Sequence, residues 1–353
     1  MAKHWIEFID DLTAADLTVR AQAVDPTDRG MLKWQTFFPR RDVPSTELQD
    51  VMTLDDRFVS DRREWDAQGR QIPIRLPDLR KLDFTPIQAY QSIGEKEMQK
   101  LSQGLNANQA AVAQIIGFSL PDRVESMARA NYRRLEIDCV TAWTSGKIVQ
   151  MNPETGATFD ISYNFDSGRI TTVGTAWSDG GVNAYNEFVA AMVDAQTALG
   201  GIAGVVMPRA VLDVILADSP VNAISGRRLK LAELNQDIQD EIGSNFIIGI
   251  WEDRLDVFQD GGQDSAVRTR VFPAASLAVV PAGGNIGSAA FAPVVRADDV
   301  ATNSDAPEGV DANGQRMYYV TKNEGMQLKP VVQMNAFPVP DEENVFVLKG
   351  LIA

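Results

Sequence analysis

"SLPDRVESMARANYRRLEIDCVTAWTSG", residues 119–146, decides how the rest of the chain is read. Val124, Ala128, Tyr132, Leu135, Cys139 and Ala142 recur every three or four positions and make one apolar stripe. Arg123, Arg129, Arg133, Arg134, Glu136 and Asp138 fill much of the remaining surface. Ser119 and Asp122 have capping-box spacing, Pro121 suits a first turn, and Gly146 suits a stop. The spacing predicts a helix over about 120–145, a rod ~37 Å long at ~1.5 Å per residue.

Upstream lies "RREWDAQGRQIPIRLPDLRKLDF", Arg62–Phe84. It holds six basic and four acidic residues in a chain whose net charge is −15, so it is cationic against an acidic background. "DAQGRQ" is a turn signal around Gly69. Beyond it Ile72, Ile74 and Leu76 alternate with Pro73, Arg75 and Pro77, which argues a strand barred from a sheet centre. The expectation is an edge hairpin with arms of ~15 residues, roughly 50 Å long at ~3.3 Å per residue. Two strands alone are marginal in water, so the ribbon needs a surface to lie on. Its arginines can fork onto carboxylates, and the rest of the chain is rich in these. Charge complementarity with other copies of the chain suits head-to-tail self-association.

Residues 1–49 are broken by "DPTDRG", "FFPRRDVP" and "STELQD", although "FIDDLTAADLTVRAQA" can form a short helix. They read as an extended arm whose exposed aromatics Trp34, Phe37 and Phe38 anchor it against something. Downstream, "KIVQMNPETGATFDISYNF" is two strands around a turn, and 183–199 is an amphipathic helix with Ala184, Phe188, Met192, Ala195 and Leu199 on one face. "GIAGVVMP" is a buried strand stopped by Pro208, "RAVLDVILAD" a helix, and "KLAELNQDIQDEIG" a helix with a glycine stop. "NFIIGIWEDRLDVF" and "SLAVVPAG" read as strands. The stretch 300–316 is a polar loop, and the C-terminus is two strands around the acidic turn Asp341, Glu342, Glu343.

Composition narrows the chemistry. Hydrophobic residues at 44% and charged residues at 23% are an ordinary globular balance, and 353 residues allow more than one domain. No apolar run approaches the ~20 residues that cross a bilayer, and "MAKHWIEFIDDL" lacks an apolar signal-peptide core, so synthesis in the cytoplasm is expected. One cysteine, Cys139, excludes an intrachain disulfide and reads as a core thiol. One histidine, His4, argues against a Cys/His zinc site and a Ser-His-Asp triad. "PAGGNIGSAA" (Pro281–Ala290) lacks the lysine and glycine spacing of a phosphate loop and reads as a strand-connecting turn. "QDGGQDSA" and "DAPEGVDANG" do not match calcium-loop spacing and read as hairpin tips. The sequence therefore nominates no catalytic residue, no metal and no cofactor.

The order of these elements resembles the major capsid protein of lambda-type tailed bacteriophages, with the Hong Kong 97-type fold. "SGKIVQMNPETGATFDISYNF", "ITTVGTAWS", "GVVMPRAVLDVILAD" and "VVQMNAFPVPDEENVFVLKGLIA" carry local resemblance in the family's order. The resemblance implies an α+β fold. It divides the chain into an N-terminal arm (1–49), an E-loop (50–94), a P-domain (95–180 and 326–353, with its spine helix at about 120–145) and an A-domain (181–325). It implies a shell of hexamers and pentamers enclosing double-stranded DNA without sequence-specific binding, and assembly in the host bacterial cytoplasm. The implied partners are other copies of the chain, a separate scaffolding protein, a portal and a maturation protease, with a decoration protein as a further candidate. No membrane is implied.

Candidate inter-subunit contacts are Arg62, Arg63, Trp65, Arg70, Ile74, Arg75, Arg80 and Lys81 on the ribbon, and Asp341, Glu342 and Glu343 at the P-domain tip. Rival readings are an encapsulin-type nanocompartment shell with the same fold and a carboxylate-dependent hydrolase. A tail-tube or decoration protein is disfavoured by the long helix.

Overall fold

The computed structural model describes residues 14–25, 32–45, 47–51, 79–83, 86–91, 110–151, 158–220, 222, 229–243, 245–258, 266–294, 311, 313–322 and 327–353. The predicted rod is there and is longer than its capping signals suggest: α3 runs Ala110–Ser145, 36 residues, with Pro121 inside it. The Ser119–Asp122 start is therefore overridden. Pro121 forfeits its N–H bond to the carbonyl of Gly117 and costs about 3 kcal/mol in a helix interior. The turns on either side keep their own bonds, so the helix continues through it. From Val124 onward the predicted stripe is the buried face: Val124, Ala128, Leu135, Cys139 and Ala142 are fully buried and Tyr132 nearly so. Gly146 ends the helix in the left-handed region at φ +66°; a Cβ there would also sit 3.0 Å from the Phe165 ring.

Helix α3 lies along a sheet ordered β1(Arg40–Asp42), β13(Gly287–Ala292), β15(Gln327–Pro340), β14(Arg316–Lys322), with β4(Ile87–Tyr90) also on β15. The long β15 reaches both halves: residues 335–340 pair with β13 and residues 327–333 with β14, both antiparallel. Asn131 of α3 is buried and stays satisfied, its amide donating to Gln315 Oε1 at 3.0 Å and to Val332 O at 3.1 Å. This sheet draws β13 and β14 from the stretch expected to be A-domain, and β4 from the stretch expected to be E-loop.

A second sheet is ordered β7(Ile170–Thr172), β16(Val347–Lys349), β12(Ser276–Pro281), β8(Ile202–Met207), β9(Ile247–Ile250). Its two faces bury different residues. Val205, Met207, Leu277 and Val279 pack under α4(Ala184–Leu199), α5(Arg209–Ala217) and α6(Leu231–Ile242). Val206, Ala278 and Val347 face the core built around α3. Of the face predicted for α4, Ala184, Phe188, Met192 and Ala195 are buried and Leu199 is partly buried. Asn183 caps α4 by accepting from Asn186 N, and Gly243 closes α6 in the left-handed region. Three antiparallel two-stranded pairs are also among the described residues: β2(Glu47–Val51) with β3(Leu79–Asp83), β5(Lys147–Met151) with β6(Thr158–Ser162), and β10(Arg254–Phe258) with β11(Ala266–Arg270). No helix among the described residues is long and apolar enough to cross a membrane.

The N-terminal arm differs most from expectation. It is not simply extended: α1(Ala14–Gln22) and α2(Trp34–Phe37) fold onto the body, and β1 joins β13 in parallel. Trp34 and Phe38 are each 1% exposed. Three aromatics within five residues cannot be hidden by an extended strand. A single helical turn puts Trp34 and Phe38 four apart on one side, where the core beside α3 takes both.

Candidate assembly surface

The base of the predicted ribbon exists as β2 and β3, antiparallel, with Asp50 opposite Arg80 and Gln49 opposite Lys81. Residues 52–78 lie outside the described residues, and with them Arg62, Arg63, Trp65, Arg70, Ile74 and Arg75.

The acidic turn is a short 3-10 helix, Glu342–Asn344, and it is tied to the body of its own chain. Glu342 Oε1 accepts from Asp166 N at 2.6 Å, Asp341 N donates to Ile286 O at 2.9 Å, and Arg169 Nη1 donates to Glu343 O at 3.3 Å. Asp341 and Glu343 are exposed and Glu342 is half-buried. The backbone contacts fix where this tip projects, so its carboxylates sit on a rigid support.

The arm anchors are occupied within the chain. Trp34 stacks on Tyr132 of α3 at 6.4 Å and meets Phe291 of β13 at 5.9 Å. Phe37 lies 5.1 Å from Trp143 and 5.8 Å from Trp251. Arg40 sits over the Phe291 ring at 4.8 Å and pairs with Asp42 and Asp311. Farther upstream, Gln22 donates to Asp311 O at 2.8 Å and Gln315 O at 3.0 Å, while Thr18 Oγ1 accepts from Met317 N at 3.1 Å.

Glu136 was expected on the polar side of α3 and is fully buried, as Asp138 very nearly is. Its carboxylate accepts from Lys33 N at 3.0 and 3.1 Å and from Trp34 N at 2.7 Å. Helix α2 has no side-chain cap of its own, so a carboxylate from another element caps it. Burial pushes the Glu136 carboxyl up to about 7, against the pull of those N–H donors and of Lys33. Asp138 keeps its charge company through Arg134 at 2.8 Å. The residue was findable: Glu136 falls four after Tyr132 and four before Val140, inside a stripe wider than the one drawn from strict spacing.

The described body also shows where negative charge gathers. Helices α4 and α6 carry Glu187, Asp194, Glu233, Asp237, Asp240 and Glu241 and no basic residue. A cleft of about 490 Å³ between them is lined by Tyr185, Val189, Val193, Asp194, Asp237 and Glu241 among others. The Tyr185 hydroxyl donates to Asp237 at 3.1 Å. Burial, with the nearby Asp237 and Glu241 charges, pushes that phenol up to about 12.

A long helix on one sheet, a second sheet covered by helices, a hairpin base and a returning C-terminal strand together are the fold of phage capsid proteins. The chain superimposes on a protein described as the capsid protein of a prophage in E. coli CFT073, with TM-score 0.57 and 13% identity, over 94% of this chain and 96% of that one. It also aligns with a virus-like particle from Pyrococcus furiosus (TM-score 0.45, 10% identity, 94% of this chain and 97% of that). The capsid of Myoviridae phage XM1 aligns at TM-score 0.45 and 13% identity, over 87% of this chain and 86% of that. The fold assignment rests on the first of these. Comparison with protein-family models and with curated proteins finds no match.

Proposed function

We propose that this chain is the major capsid protein of a tailed phage, a structural protein that assembles into an icosahedral head of hexamers and pentamers around double-stranded DNA. The observation that carries the reading is the fold match over 94% of this chain and 96% of a prophage capsid protein. The division into arm, E-loop, P-domain and A-domain follows the Hong Kong 97-type plan, with strands shared across its borders. The ribbon beyond β2 and β3 is the clasp: Trp65 and Ile74 meet apolar surface of a neighbour, and Arg62, Arg63, Arg70, Arg75, Arg80 and Lys81 face its carboxylates. A scaffolding protein, a portal and a maturation protease act on the shell, and a decoration protein is a further partner. A net charge of −15 per subunit leaves an acidic wall that holds packaged DNA loosely, since phosphate affinity comes from lysine and arginine.

The test is expression of the chain with and without a scaffolding protein from the same gene neighbourhood, followed by electron microscopy and sedimentation. Closed icosahedral shells are expected. Shells that enclose a protein cargo instead of DNA in the native source would favour the nanocompartment. A monomer in every condition would sink both. Changing Arg62, Arg63, Arg70 and Arg75 together to glutamate should leave circular dichroism unchanged and block or weaken assembly, because it reverses the charge of the clasp. Each exposed pair is worth only about 0–1 kcal/mol, but the contact repeats in every subunit. High salt should weaken the wild-type contact in the same direction. Normal, equally stable shells from the quadruple variant would reduce the ribbon to an ordinary surface hairpin.

A further inference from the structure

The turn that carries Trp34 and Phe37 sits where two layers meet. One layer is α3, which contributes Trp143 and Glu136. The other is the helix-covered sheet, whose connecting segments contribute Trp251, directly after β9, and Phe272, shortly before β12. Phe37 touches Trp143 and Trp251, at 5.1 and 5.8 Å. Trp251 stacks on Phe272 at 5.9 Å, and Trp143 meets Phe272 edge-on at 6.3 Å. Lys33 reaches the same segment twice, pairing with Asp253 at 2.7 Å and lying 5.1 Å from the centre of the Trp251 ring. On the other side Glu136 holds the backbone of Lys33 and Trp34 to α3.

We infer that α2 is a wedge that sets the angle between α3 and the helix-covered sheet, with Phe37 as its body and Glu136 and Lys33 as its two ties. Each tie goes to a different layer, so neither layer carries the wedge by itself. The indole N–H groups of Trp34, Trp143 and Trp251 are buried and find no acceptor among the described residues. Packing and the two ties, rather than hydrogen bonds from the rings, therefore keep this junction in register. The arm's contribution is to position two layers of its own subunit, a role separate from any contact it makes with a neighbour.

The test uses the full-length, unassembled chain and so does not depend on whether shells form. Arg133→Cys on the exposed side of α3 and Val193→Cys, 39% exposed on α4, take spin labels, while the buried Cys139 does not react. Pulsed electron paramagnetic resonance then reads the distance between the layers. The wild-type background should give one narrow distribution. Phe37→Ala, Lys33→Ala and Glu136→Gln should each widen it and move its maximum. Measured at pH 8.5, where the Glu136 carboxyl is charged, Glu136→Gln keeps the shape of the side chain but turns an amide N–H₂ toward the backbone donors. Ile215→Ala removes a buried side chain of α5, which packs over the outer face of the sheet, carries no label and touches no part of the wedge. It should lower the denaturation midpoint and leave the distribution narrow. If Phe37→Ala does not fold, Phe37→Leu and Glu136→Gln are read by the same criterion. A distribution that stays narrow and in place in the wedge variants, or that widens equally in Ile215→Ala, would make Phe37 an ordinary core residue and end the proposal.

Discussion

Glu136 shows how one carboxylate can serve geometry at a cost in solvation. Three hydrogen-bond contacts favour its charged form, yet burial dominates and raises its pKa from the ordinary 4.5 to about 7. Between those values the folded chain holds a proton that the unfolded chain has released. The folded state therefore binds more protons there, and stability falls as pH rises through that window. At ~1.4 kcal/mol per pH unit the full effect is on the order of 3 kcal/mol. Urea unfolding of wild type and Glu136→Gln, both measured from pH 4.5 to pH 7.5, isolates it from every other carboxylate. The wild type should lose stability relative to the variant as pH rises. A difference that stays flat would mean that the carboxylate is solvated when charged. Trp34 is the other residue with a defined cost. Truncating a buried tryptophan to alanine typically costs about 3–5 kcal/mol. Trp34→Ala should lower the urea midpoint accordingly, and a loss under 1 kcal/mol would show that the arm contributes little to the free subunit.

Elements with a strong period were legible in the sequence. The buried stripe from Val124 to Ala142 and the buried face of α4 follow directly from apolar spacing, and β5, β6, β8 and β12 from apolar runs closed by turn signals. What failed was local chemistry that tertiary structure overrides. Ser119, Pro121 and Asp122 make a credible helix start, but a capping signal only matters where the chain actually begins its helix, and α3 begins at Ala110. The arm's aromatics read as exposed because no period assigns Trp34 or Phe38 a partner; those partners, Tyr132 and Phe291 among them, are far along the chain. The candidate ribbon contacts rest on charge and alternation, and of these only Arg80 and Lys81 fall in a described strand. Pro121 provides a test at this level. Replacing it with alanine restores one backbone donor and removes the ring's clash, so Pro121→Ala should stabilise the free subunit by about 1–3 kcal/mol. Amide exchange around residues 117–125 should slow. A destabilised variant would show that the proline ring, buried as it is, packs to an advantage greater than the bond it forfeits.

In the proposed shell, subunits of charge −15 must place their acidic groups carefully, and the tip at 341–343 is held in place by hydrogen bonds to its own chain. The Asp341 N–Ile286 O bond, the Arg169 side chain on the Glu343 carbonyl and the Glu342–Asp166 contact fix the turn, while Asp341 and Glu343 remain exposed. In the proposed shell such tips from several subunits converge around three-fold and quasi-three-fold positions. Converging carboxylates repel unless a neighbour supplies cations, and Arg62, Arg63, Arg80 and Lys81 are the groups proposed to do so. The two possibilities respond oppositely to neutralisation. With cations interposed, Asp341→Asn with Glu343→Gln removes an attraction worth up to about 1 kcal/mol per pair, or roughly fivefold in affinity per contact. The concentration needed for assembly should then rise, and added salt should raise it for the wild type as well. Without cations the same variant removes repulsion, and both changes run the other way. Because both side chains are exposed, the fold should tolerate the double variant, which circular dichroism on the same preparation would establish. Sedimentation across a range of subunit and salt concentrations reads the sign. A higher threshold for the variant is the expected result, and a lower or unchanged one would remove this tip from the set of attractive contacts.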